Sequence, residues 1–471
     1  MILGGGDMKK LNDLIETDYD IPILGITDDS REVRDGFLFV ATKGFHVDHF
    51  DYIDNAIENG CVCVISDRKC ELEIPNIVVS DVNASYYDLC RKFYDLDLAK
   101  LSFIGITGTD GKTTTSTIIR NLMNPIFSTA YIGTNGVDYQ DIHKKSNNTT
   151  PCINELYEDL AMIENADCKD VVMEVSSEAL LHNRVRDLRF KVIGYTNITE
   201  DHLNVHGTLE NYIACKKKLL DYIEDGVCIV NGDDENCKGL SNSCITYGVD
   251  PSNDCVISNV KEERNLTTFT LHYLSNSYRI ISPYVGIYNV YNVTLAFLCC
   301  LHYGLSPEYL VDAIRNLKSV HGRRELLDFG QDYDIILDYA HTLNGIQNVL
   351  ESVTGKKKIV VTGCAGGREK SKRRKIGEYL LTNSDLCIFT MDDPRFETVD
   401  SIIDDMVGDS NNSYLRILDR KEAIYKAFDL ADSNTCVFIL GKGRDEYMAV
   451  EDKKLPYCDY EVITSYFEDE K

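Results

Sequence analysis

The sequence predicts an α/β protein of three domains, and three observations support that fold class. Short apolar runs alternate with helix-like segments along most of the chain, which is the pattern of a mostly parallel sheet covered by helices. One apolar run leads into a glycine-containing turn and then a helix, an order typical of phosphate-binding loops. At 471 residues, the chain is long enough for about three domains.

The amino-acid composition limits the kinds of molecule and compartment that we expect for this protein. The net charge of −27 argues against nucleic acid, because phosphate backbones need cationic protein surfaces. No apolar run approaches the roughly 18 residues of a membrane-spanning helix, and the N-terminus lacks the apolar stretch of a signal peptide. We therefore expect a cytoplasmic protein without membrane insertion. The 17 cysteines include no CxxC pair, so we expect buried thiols in a reducing compartment rather than zinc ligands or disulfides.

Residues 1–98 are predicted to form a small α/β domain. Its strand candidates are FLFVA at 37–41, CVCVIS at 61–66 and NIVVS at 76–80, with helical stretches between them. A helix-like segment at 84–96 leads into the next domain.

The second predicted domain, 99–320, begins with the most informative motif of the chain. Phe103 to Ile106 form an apolar strand candidate, and GTDGKTT (108–114) follows it before a helical pattern. Ile106 stands where the common GxxxxGK[ST] loop has its first glycine, so the pattern is a narrower one. The alternative is a surface turn that happens to precede Lys112. Because strand, turn and helix contexts all agree, we predict a nucleoside triphosphate site.

Other polar residues of this domain follow strand candidates at 171–177, 191–197 and 226–231, and 255–282 is predicted to be antiparallel. Glu174 ends such a strand and could hold Mg²⁺ together with the Thr113 hydroxyl; the alternative is an exposed strand-end acid. His202 and His206 could be metal ligands or anion contacts, although histidine pairs are more often structural.

The third predicted domain, 321–471, alternates again, with strand candidates at 334–340, 358–363, 386–393 and 436–443. Each ends in a polar turn, and ligands bind at the carboxyl ends of strands in open α/β sheets. The basic segment GGREKSKRRK at 366–375 stands out against the acidic background. It could be a binding pocket or a solvated helix face.

Taken together, these motifs resemble the Mur ligases over essentially the whole chain. Within that family, the resemblance is to the type that adds the third amino acid to UDP-N-acetylmuramoyl-dipeptide. The matching segments, in family order, are DDSREVRDGFLFVATKG (28–44), GTDGKTT, NTTP (148–151), MEVSSEAL (173–180), TNITEDHLNVHG (196–207), YIACK (212–216), GIYNVYN (286–292), HGRRE (321–325), DYAHT (338–342), GCAGGREKSKR (363–373), DDPRFE (392–397) and GKGRDEY (441–447).

The resemblance implies an ATP-dependent amide ligase and a role for each matching residue. Its ATP site would comprise Gly108, Thr109, Asp110, Gly111, Lys112, Thr113, Thr114, Asn289, Arg323, Asp338 and His341. Thr113, Glu174, His202 and a carbamylated Lys216 would serve Mg²⁺, and Lys112, Glu174, His202 and Lys216 would be catalytic. The UDP-muramoyl peptide would contact Ser30, Asn148, Thr149, Thr150, Ser176, His182 and Arg184. The incoming amino acid would face Arg368, Asp392, Asp393, Pro394, Arg395, Gly441 and Asp445.

Several positions depart from the family pattern. Glu178 replaces a histidine, His182 a glutamine, His321 a proline, and GKGHE has become GKGRD with Arg444. In the motif DDPR, Asp393 replaces the asparagine of DNPR, which accompanies meso-diaminopimelate in the family. A carboxylate there would repel a distal carboxylate and attract a distal ammonium, and Arg395 could pair with Asp393 or another acid. We therefore expect L-lysine in preference to meso-diaminopimelate.

The resemblance also implies small-molecule substrates, a UDP-N-acetylmuramoyl-dipeptide and a diamino acid, and a monomeric enzyme. Three alternatives remain open at this point. They are another Mur ligase, a folylpolyglutamate synthase-like ligase, and a nucleotide-binding regulatory paralogue.

Overall fold

The computed structural model describes residues 9–44, 47–146, 148–240, 242–263, 266–368, 370–410 and 412–469. The chain divides into two compact units. Unit 1 holds the described residues up to 107 together with 123–194 and 215–228, and unit 2 holds 108–122, 195–214 and the described residues from 229 onward.

Unit 1 contains a small parallel sheet near the N-terminus. Its strands are β1 (Gly25–Thr27), β2 (Phe37–Val40), β3 (Cys61–Ser66) and β4 (Asn76–Val78), which pair in chain order. The accompanying helices are Leu11–Leu14, Ile53–Glu58 and Val82–Phe93, with 3₁₀ turns at His49–Tyr52 and Leu98–Lys100. The strands bury Phe39, Cys61 and Val64 against Ile53 and Ala56 of the helix that precedes β3, as the apolar runs predicted.

The other strands of unit 1 are β5 (Ser102–Thr107), β6 (Thr129–Gly133), β7 (Gly136–Tyr139), β8 (Ile142–Lys144), β9 (Asp170–Glu174), β10 (Phe190–Tyr195) and β11 (Ile223–Asn231). They lie in the order β11-β10-β5-β9-β6-β7-β8. β5 and β6 flank β9 in parallel, whereas β6-β7-β8 are antiparallel hairpins. Helices Ile153–Asn165 and Ser177–Leu181 and a 3₁₀ turn at Lys218–Tyr222 complete this part. Ile106 pairs with Glu174, so Glu174 lies at the carboxyl end of its strand.

The last residues of β11, 229–231, belong to unit 2 and pair in parallel with β12 (Ile245–Gly248). β12 in turn pairs in parallel with β13 (Cys255–Glu263). β14 (Leu266–Tyr273) and β15 (Asn276–Ser282) continue as an antiparallel meander, which confirms the prediction for 255–282. The helices of this part are Lys112–Met123, Leu203–His206, Leu209–Lys217, Glu235–Lys238, Ile287–Tyr303 and Pro307–Arg315.

A six-stranded sheet organises the rest of unit 2. Its strands are β16 (Glu325–Leu327), β17 (Asp334–Asp338), β18 (Lys357–Thr362), β19 (Leu386–Phe389), β20 (Leu415–Arg416) and β21 (Thr435–Leu440), in the order β16-β17-β21-β18-β19-β20. All pairs are parallel except β16–β17. A hairpin follows, formed by β22 (Tyr447–Val450) and β23 (Lys453–Pro456).

Helices cover both faces of this sheet, which explains its nearly continuous apolar strands. Ile336 and Phe438 pack on one face, with helices Leu343–Glu351, Lys370–Asn383 and Val399–Val407. Leu337 and Val437, one position along, pack on the other face with helices Arg420–Asp429 and Asp459–Asp469. The predicted α/β class with mostly parallel sheets is therefore confirmed. No helix within the described ranges is long and apolar enough to cross a membrane.

Candidate active site

The phosphate loop of unit 2 is held by the segment that follows β10. The amide of Thr109 donates to the Asn197 carbonyl (2.8 Å), and the amide of Asp110 donates to the Asn197 side chain (3.0 Å). Gly108 and Gly111 have φ of +147° and +86°, and a Cβ on Gly108 would lie 1.8 Å from the Thr196 hydroxyl. The loop therefore needs glycine at these positions both for its conformation and for its close packing.

Lys112 begins the helix after the loop. Its ammonium donates to the carbonyls of Gly108 (3.0 Å) and Thr109 (2.8 Å), so it lies over the loop rather than reaching away from it. The neighbouring Thr113 is buried, and its hydroxyl accepts a hydrogen bond from Arg323 at 3.0 Å. A helix N-terminus, a lysine and an arginine thus converge on the loop, which is the charge pattern that binds an anion.

A cavity of about 370 Å³ opens beside this loop. Among its walls are predicted ATP-site residues from three separate parts of the sequence: Asp110, Gly111, Thr114, Asn289, Arg323, Asp338 and His341. Gly108, Thr109, Lys112 and Thr113 belong to the same loop and helix start but are not part of the cavity wall. The volume and the mixed polar and aromatic lining, with Tyr288 and Tyr291, suit a nucleotide.

The turn after β17 supplies the C-terminal wall of this nucleotide cavity. The carboxylate of Asp338 is buried and accepts from the amides of Arg324 (2.5 Å) and Ala340 (2.6 Å). Burial raises the pKa of Asp338, and the charge of Arg323 opposes the shift. Arg323 itself lies over the Tyr339 ring, 4.7 Å from its centroid. The predicted Arg323 and Asp338 are therefore close to each other and to the phosphate loop.

A second cavity of about 110 Å³ shares Tyr339 and His341 with the first. Its walls include every residue predicted to face the amino acid except Pro394: Arg368, Asp392, Asp393, Arg395, Gly441 and Asp445. The Pro394 carbonyl instead packs on Gly366, where a Cβ would lie 1.8 Å from it. Asp393 and Arg395 have φ of +41° and +52°, a backbone cost of roughly 1–2 kcal/mol each for non-glycine residues. Strain of this kind is concentrated at functional sites.

The charges of the second cavity differ from the sequence-based expectation. Asp393 accepts from the Lys442 ammonium and from the Ala449 amide, both at 2.8 Å. Lys442 is buried and lies 3.2 Å from Asp445 as well. The proposed pairing of Arg395 with Asp393 is therefore wrong. Within the part of the chain that the structure describes, the guanidinium groups of Arg368 and Arg395 have no hydrogen-bond or ion-pair partner.

His202 lies in the wall of the second cavity rather than the nucleotide cavity. It has a left-handed backbone (φ +54°), and its Nε2 is 3.5 Å from Asp201. Burial alone would raise the pKa of Asp201, but the charges of His202 and Lys372 hold that pKa well below its usual range. The exposed side chain of His341 lies in the walls of both cavities. Arg368 and Lys372 of the basic segment 366–375 line the second cavity, so this segment is not only a solvated helix face.

In unit 1, Glu174 is fully buried and its carboxylate is surrounded by donors. It accepts from the Tyr131 hydroxyl (2.5 Å), the Thr134 amide (3.0 Å) and the Thr134 hydroxyl (3.2 Å). The alternative of an exposed strand-end acid is therefore wrong. Lys216, also in unit 1, is buried, and its Nζ is 3.5 Å from the Thr107 hydroxyl.

Several predicted peptide-binding residues form a hydrogen-bonded cluster beside Glu174. The Thr150 hydroxyl donates to the Glu174 carbonyl (2.8 Å) and accepts from the Ser176 amide (3.0 Å). Arg184 donates to the Thr150 carbonyl at 2.8 Å. The hydroxyls of Thr149 and Thr134 are 3.0 Å apart.

The remaining three predicted peptide-binding residues lie apart from those bonds. Asn148 donates to the Cys152 thiol, His182 is exposed at the end of helix Ser177–Leu181, and the Ser30 carbonyl accepts from Asn59.

Sequence reasoning missed several charged and polar side chains that shape these sites. Thr342 and Asn344 both donate to Asp110 of the phosphate loop (3.1 and 3.3 Å), and Lys442 neutralises Asp393. Thr342 and Lys442 stand inside quoted motifs, so their presence was visible. Their partners lie 232 and 49 residues away in sequence, and no local pattern gives such pairs.

These features define a phosphate-loop nucleotide-binding protein in which the nucleotide cavity adjoins a smaller charged cavity. Three family models match the chain: "Mur ligase family, catalytic domain" over 22–93, "Mur ligase middle domain" over 106–300 and "Mur ligase, glutamate ligase domain" over 322–443. The chain belongs to the Mur ligase family.

Individual relatives agree with the family models. The chain is 34% identical to the UDP-N-acetylmuramoyl-L-alanyl-D-glutamate--2,6-diaminopimelate ligase of Syntrophomonas wolfei, with 94% of both chains covered. It is 36% identical to the protein of the same name from Halalkalibacterium halodurans, covering 92% and 91%. A solved structure with that name gives a TM-score of 0.65 at 26% identity, covering 98% and 99%. The MurF ligase of Thermotoga maritima in complex with ADP shares the fold at 20% identity, with a TM-score of 0.65 and coverage of 95% and 97%.

Proposed function

We propose that this protein is an ATP-dependent ligase that joins a diamino acid to UDP-N-acetylmuramoyl-L-alanyl-D-glutamate in peptidoglycan precursor synthesis. The observation that carries the proposal is the pair of adjoining cavities in unit 2. One is built on the phosphate loop, the other is lined by Arg368, Arg395 and Asp445, and they meet at Tyr339 and His341. The reaction first transfers a phosphoryl group from ATP to the dipeptide carboxylate, and the amine of the diamino acid then attacks the same carboxyl carbon, so the nucleotide site and the amino-acid site must adjoin.

The chemistry follows the family reaction. The dipeptide carboxylate attacks the γ-phosphate of ATP, which gives an acyl phosphate and ADP. The amine of the diamino acid then attacks the acyl carbon, and phosphate leaves. In this reaction Lys112, which is bonded to the loop carbonyls, and Arg323, which is bonded to Thr113, would neutralise charge on the transferred phosphoryl group.

Each unit, taken by itself, holds an oxygen donor of the kind that binds Mg²⁺. The buried Thr113 hydroxyl and the buried Glu174 carboxylate are oxygen ligands of the kind that Mg²⁺ prefers. When bound, Mg²⁺ offsets negative charge on the phosphates. Lys216 of unit 1 could serve as a Mg²⁺ ligand only as a carbamate, because an ammonium has no lone pair to offer.

The test is phosphate release by the purified protein. We expect release only when ATP, Mg²⁺, the UDP-muramoyl dipeptide and a diamino acid are all present. Release with a folylpoly-γ-glutamate acceptor instead would favour the related folate ligases, and nucleotide binding without turnover would favour a regulatory paralogue.

For the amino acid, we propose meso-diaminopimelate, in place of the lysine that the sequence favoured. A preference for lysine would require Asp393 to act as an unpaired negative charge, whereas Asp393 pairs with Lys442. Arg368 and Arg395 line the cavity without partners among the described residues, and guanidinium groups suit a distal carboxylate. The diaminopimelate ligases among the relatives support the same choice.

Side-by-side assays with meso-diaminopimelate and L-lysine decide the question. We expect diaminopimelate to be preferred, and Arg395→Met to raise its KM by about 10- to 100-fold, the loss expected when a charged bidentate contact is removed. Arg416→Met is the matched control, because Arg416 pairs with Asp400 and Asp404 and lines neither cavity. A clear preference for lysine would contradict the proposal.

We further propose domain boundaries at 1–98, 99–320 and 321–471, supported by family matches that fall inside those ranges. We also propose a monomer acting in the cytoplasm. Limited proteolysis tests the boundaries and should cut near residues 99 and 321. Light scattering tests the monomer, and cell fractionation tests the cytoplasmic location.

A further inference from the structure

Two side chains that depart from the Mur ligase pattern, His321 and Arg444, meet at one carboxylate. Glu325 accepts from Arg444 Nε at 3.0 Å and from the Gly322 amide at 2.9 Å. The Nδ1 of His321 lies 3.5 Å from the same carboxylate. None of these residues lines the nucleotide cavity or the amino-acid cavity, although Arg444 and Glu325 are sequence neighbours of Asp445 and Arg324, which do.

The Glu325–Arg444 pair is enclosed and strongly charged. The Glu325 side chain is 9% exposed, and the Arg444 guanidinium lies 3.4 Å from the centroid of the Tyr460 ring. Burial alone would raise the pKa of Glu325, but the hydrogen bonds that its carboxylate accepts from Arg444 and from the Gly322 amide hold that pKa below the usual range. A two-point guanidinium–carboxylate bond of this kind fixes orientation as well as distance.

The pair joins the two segments that serve the two cavities. Glu325 lies two residues after Arg323, whose guanidinium donates to Thr113 of the phosphate loop. Arg444 directly precedes Asp445, which lines the amino-acid cavity. The segments also touch through their backbones, since a Cβ on Gly322 would lie 3.1 Å from the Arg444 amide nitrogen.

We propose that Glu325 and Arg444 are positioning residues that fix Arg323 and Asp445 relative to each other. The nucleotide site and the amino-acid site then take their geometry from the same ion pair. This inference rests on the proposed function, because it assigns the second cavity to the amino acid. The exposed imidazole of His321 lies at the outer side of the same carboxylate. The two departures from the family pattern, His321 and Arg444, therefore lie at the same carboxylate and not at two separate sites.

The test compares Arg444→Met, Glu325→Gln and the double variant with the wild type. Methionine keeps an apolar stem against Tyr460 but removes both hydrogen bonds. We expect the KM for ATP and the KM for the diamino acid to rise together by about 5- to 30-fold, with a smaller change in kcat, because removing one partner of an enclosed ion pair releases the segments at both cavities. The double variant should be no worse than the more damaged single variant, since the two residues act as one unit.

Controls separate positioning from stability. Arg416→Met removes an exposed arginine of the same sheet and should leave both KM values unchanged. Arg444→Lys keeps the charge and should recover part of the loss. A variant with a lower melting temperature but unchanged KM values, or with only one KM raised, would overturn the inference.

Binding of a non-hydrolysable ATP analogue separates this inference from the proposed function. We expect weaker binding of the analogue by Arg444→Met than by the wild type in calorimetry, without any amino acid present. A wild type that binds the analogue but turns over no diamino acid would refute the proposed function. Unchanged analogue affinity in Arg444→Met would refute the positioning role alone.

Discussion

At the scale of single residues, two cationic side chains lie at the phosphate loop. The Lys112 ammonium is bonded to two loop carbonyls, and Arg323 is bonded to Thr113. Both cations are therefore held next to the place where phosphate charge would develop. Such preorganised cations contribute to rate because they need little rearrangement when the charge appears.

Lys112→Ala should abolish most activity while leaving the fold intact. Loss of a preorganised electrostatic contact typically costs about 10²- to 10³-fold in kcat, and steady-state phosphate release measures it. Lys100→Ala is the control, because Lys100 is an exposed lysine paired with Glu164. Near-normal turnover by Lys112→Ala would contradict the assignment of this loop.

Lys216 offers a second prediction at the residue scale. Its side chain is buried with Nζ 3.5 Å from the Thr107 hydroxyl, and within YIACK (212–216) it stands at the position of the lysine that is carbamylated in Mur ligases. We predict that Lys216 carries a carbamate, so Lys216→Ala should be nearly inactive and partly rescued by formate or acetate. Lys217→Ala, an exposed neighbour on the same helix, should stay active. A bare amine in an active crystal, together with no rescue, would contradict the carbamate.

At the scale of elements, helix Ile153–Asn165 of unit 1 contains a carboxylate whose burial lowers the stability of the fold. Asp159 is buried, and its Oδ1 accepts from Lys144 at 2.7 Å. Its other oxygen has no hydrogen-bond partner among the described residues. Burial raises the pKa of Asp159 to about 6, although Lys144 acts in the opposite direction.

The sign of this shift gives a prediction for stability. Because the folded pKa is above the unfolded value of 3.8, the stabilising contribution is complete below about pH 4 and is lost as the pH rises through 6. Asp159→Asn should therefore raise the free energy of unfolding at pH 7 by about 1–3 kcal/mol, less at pH 4.5. Urea unfolding at both pH values measures it, with Glu158→Gln as the more exposed control. A gain that does not depend on pH would contradict this explanation.

For the whole molecule, the dominant property is its net charge of −27. Excess charge of one sign destabilises a compact state through self-repulsion, and salt screens that repulsion. Raising NaCl from about 20 mM to about 200 mM should therefore raise the melting temperature by a few degrees, since the Debye length falls about threefold over this range. KCl at equal ionic strength is the control, and a lower melting temperature with salt would contradict the prediction.

The sequence alone determined the fold class, the order of the elements and the family. These follow from local patterns: apolar runs bounded by turns, a glycine loop with Lys112, and motifs whose order survives in the chain. The strands at 37–40, 61–66 and 334–338 fall within the predicted runs. Such features depend on neighbours in sequence, and so they can be recognised without a structure.

Only the tertiary structure decided which side chains share a cavity and which charges cancel. Lys442 neutralises Asp393 from 49 residues away, and Arg444 meets Glu325 from 119 residues away. His202 lines the second cavity, although the family resemblance predicts a Mg²⁺ ligand beside ATP at this position. Charge pairing depends on distances of a few ångströms between strand ends. Those distances are set by sheet order and loop packing, which no local sequence pattern specifies.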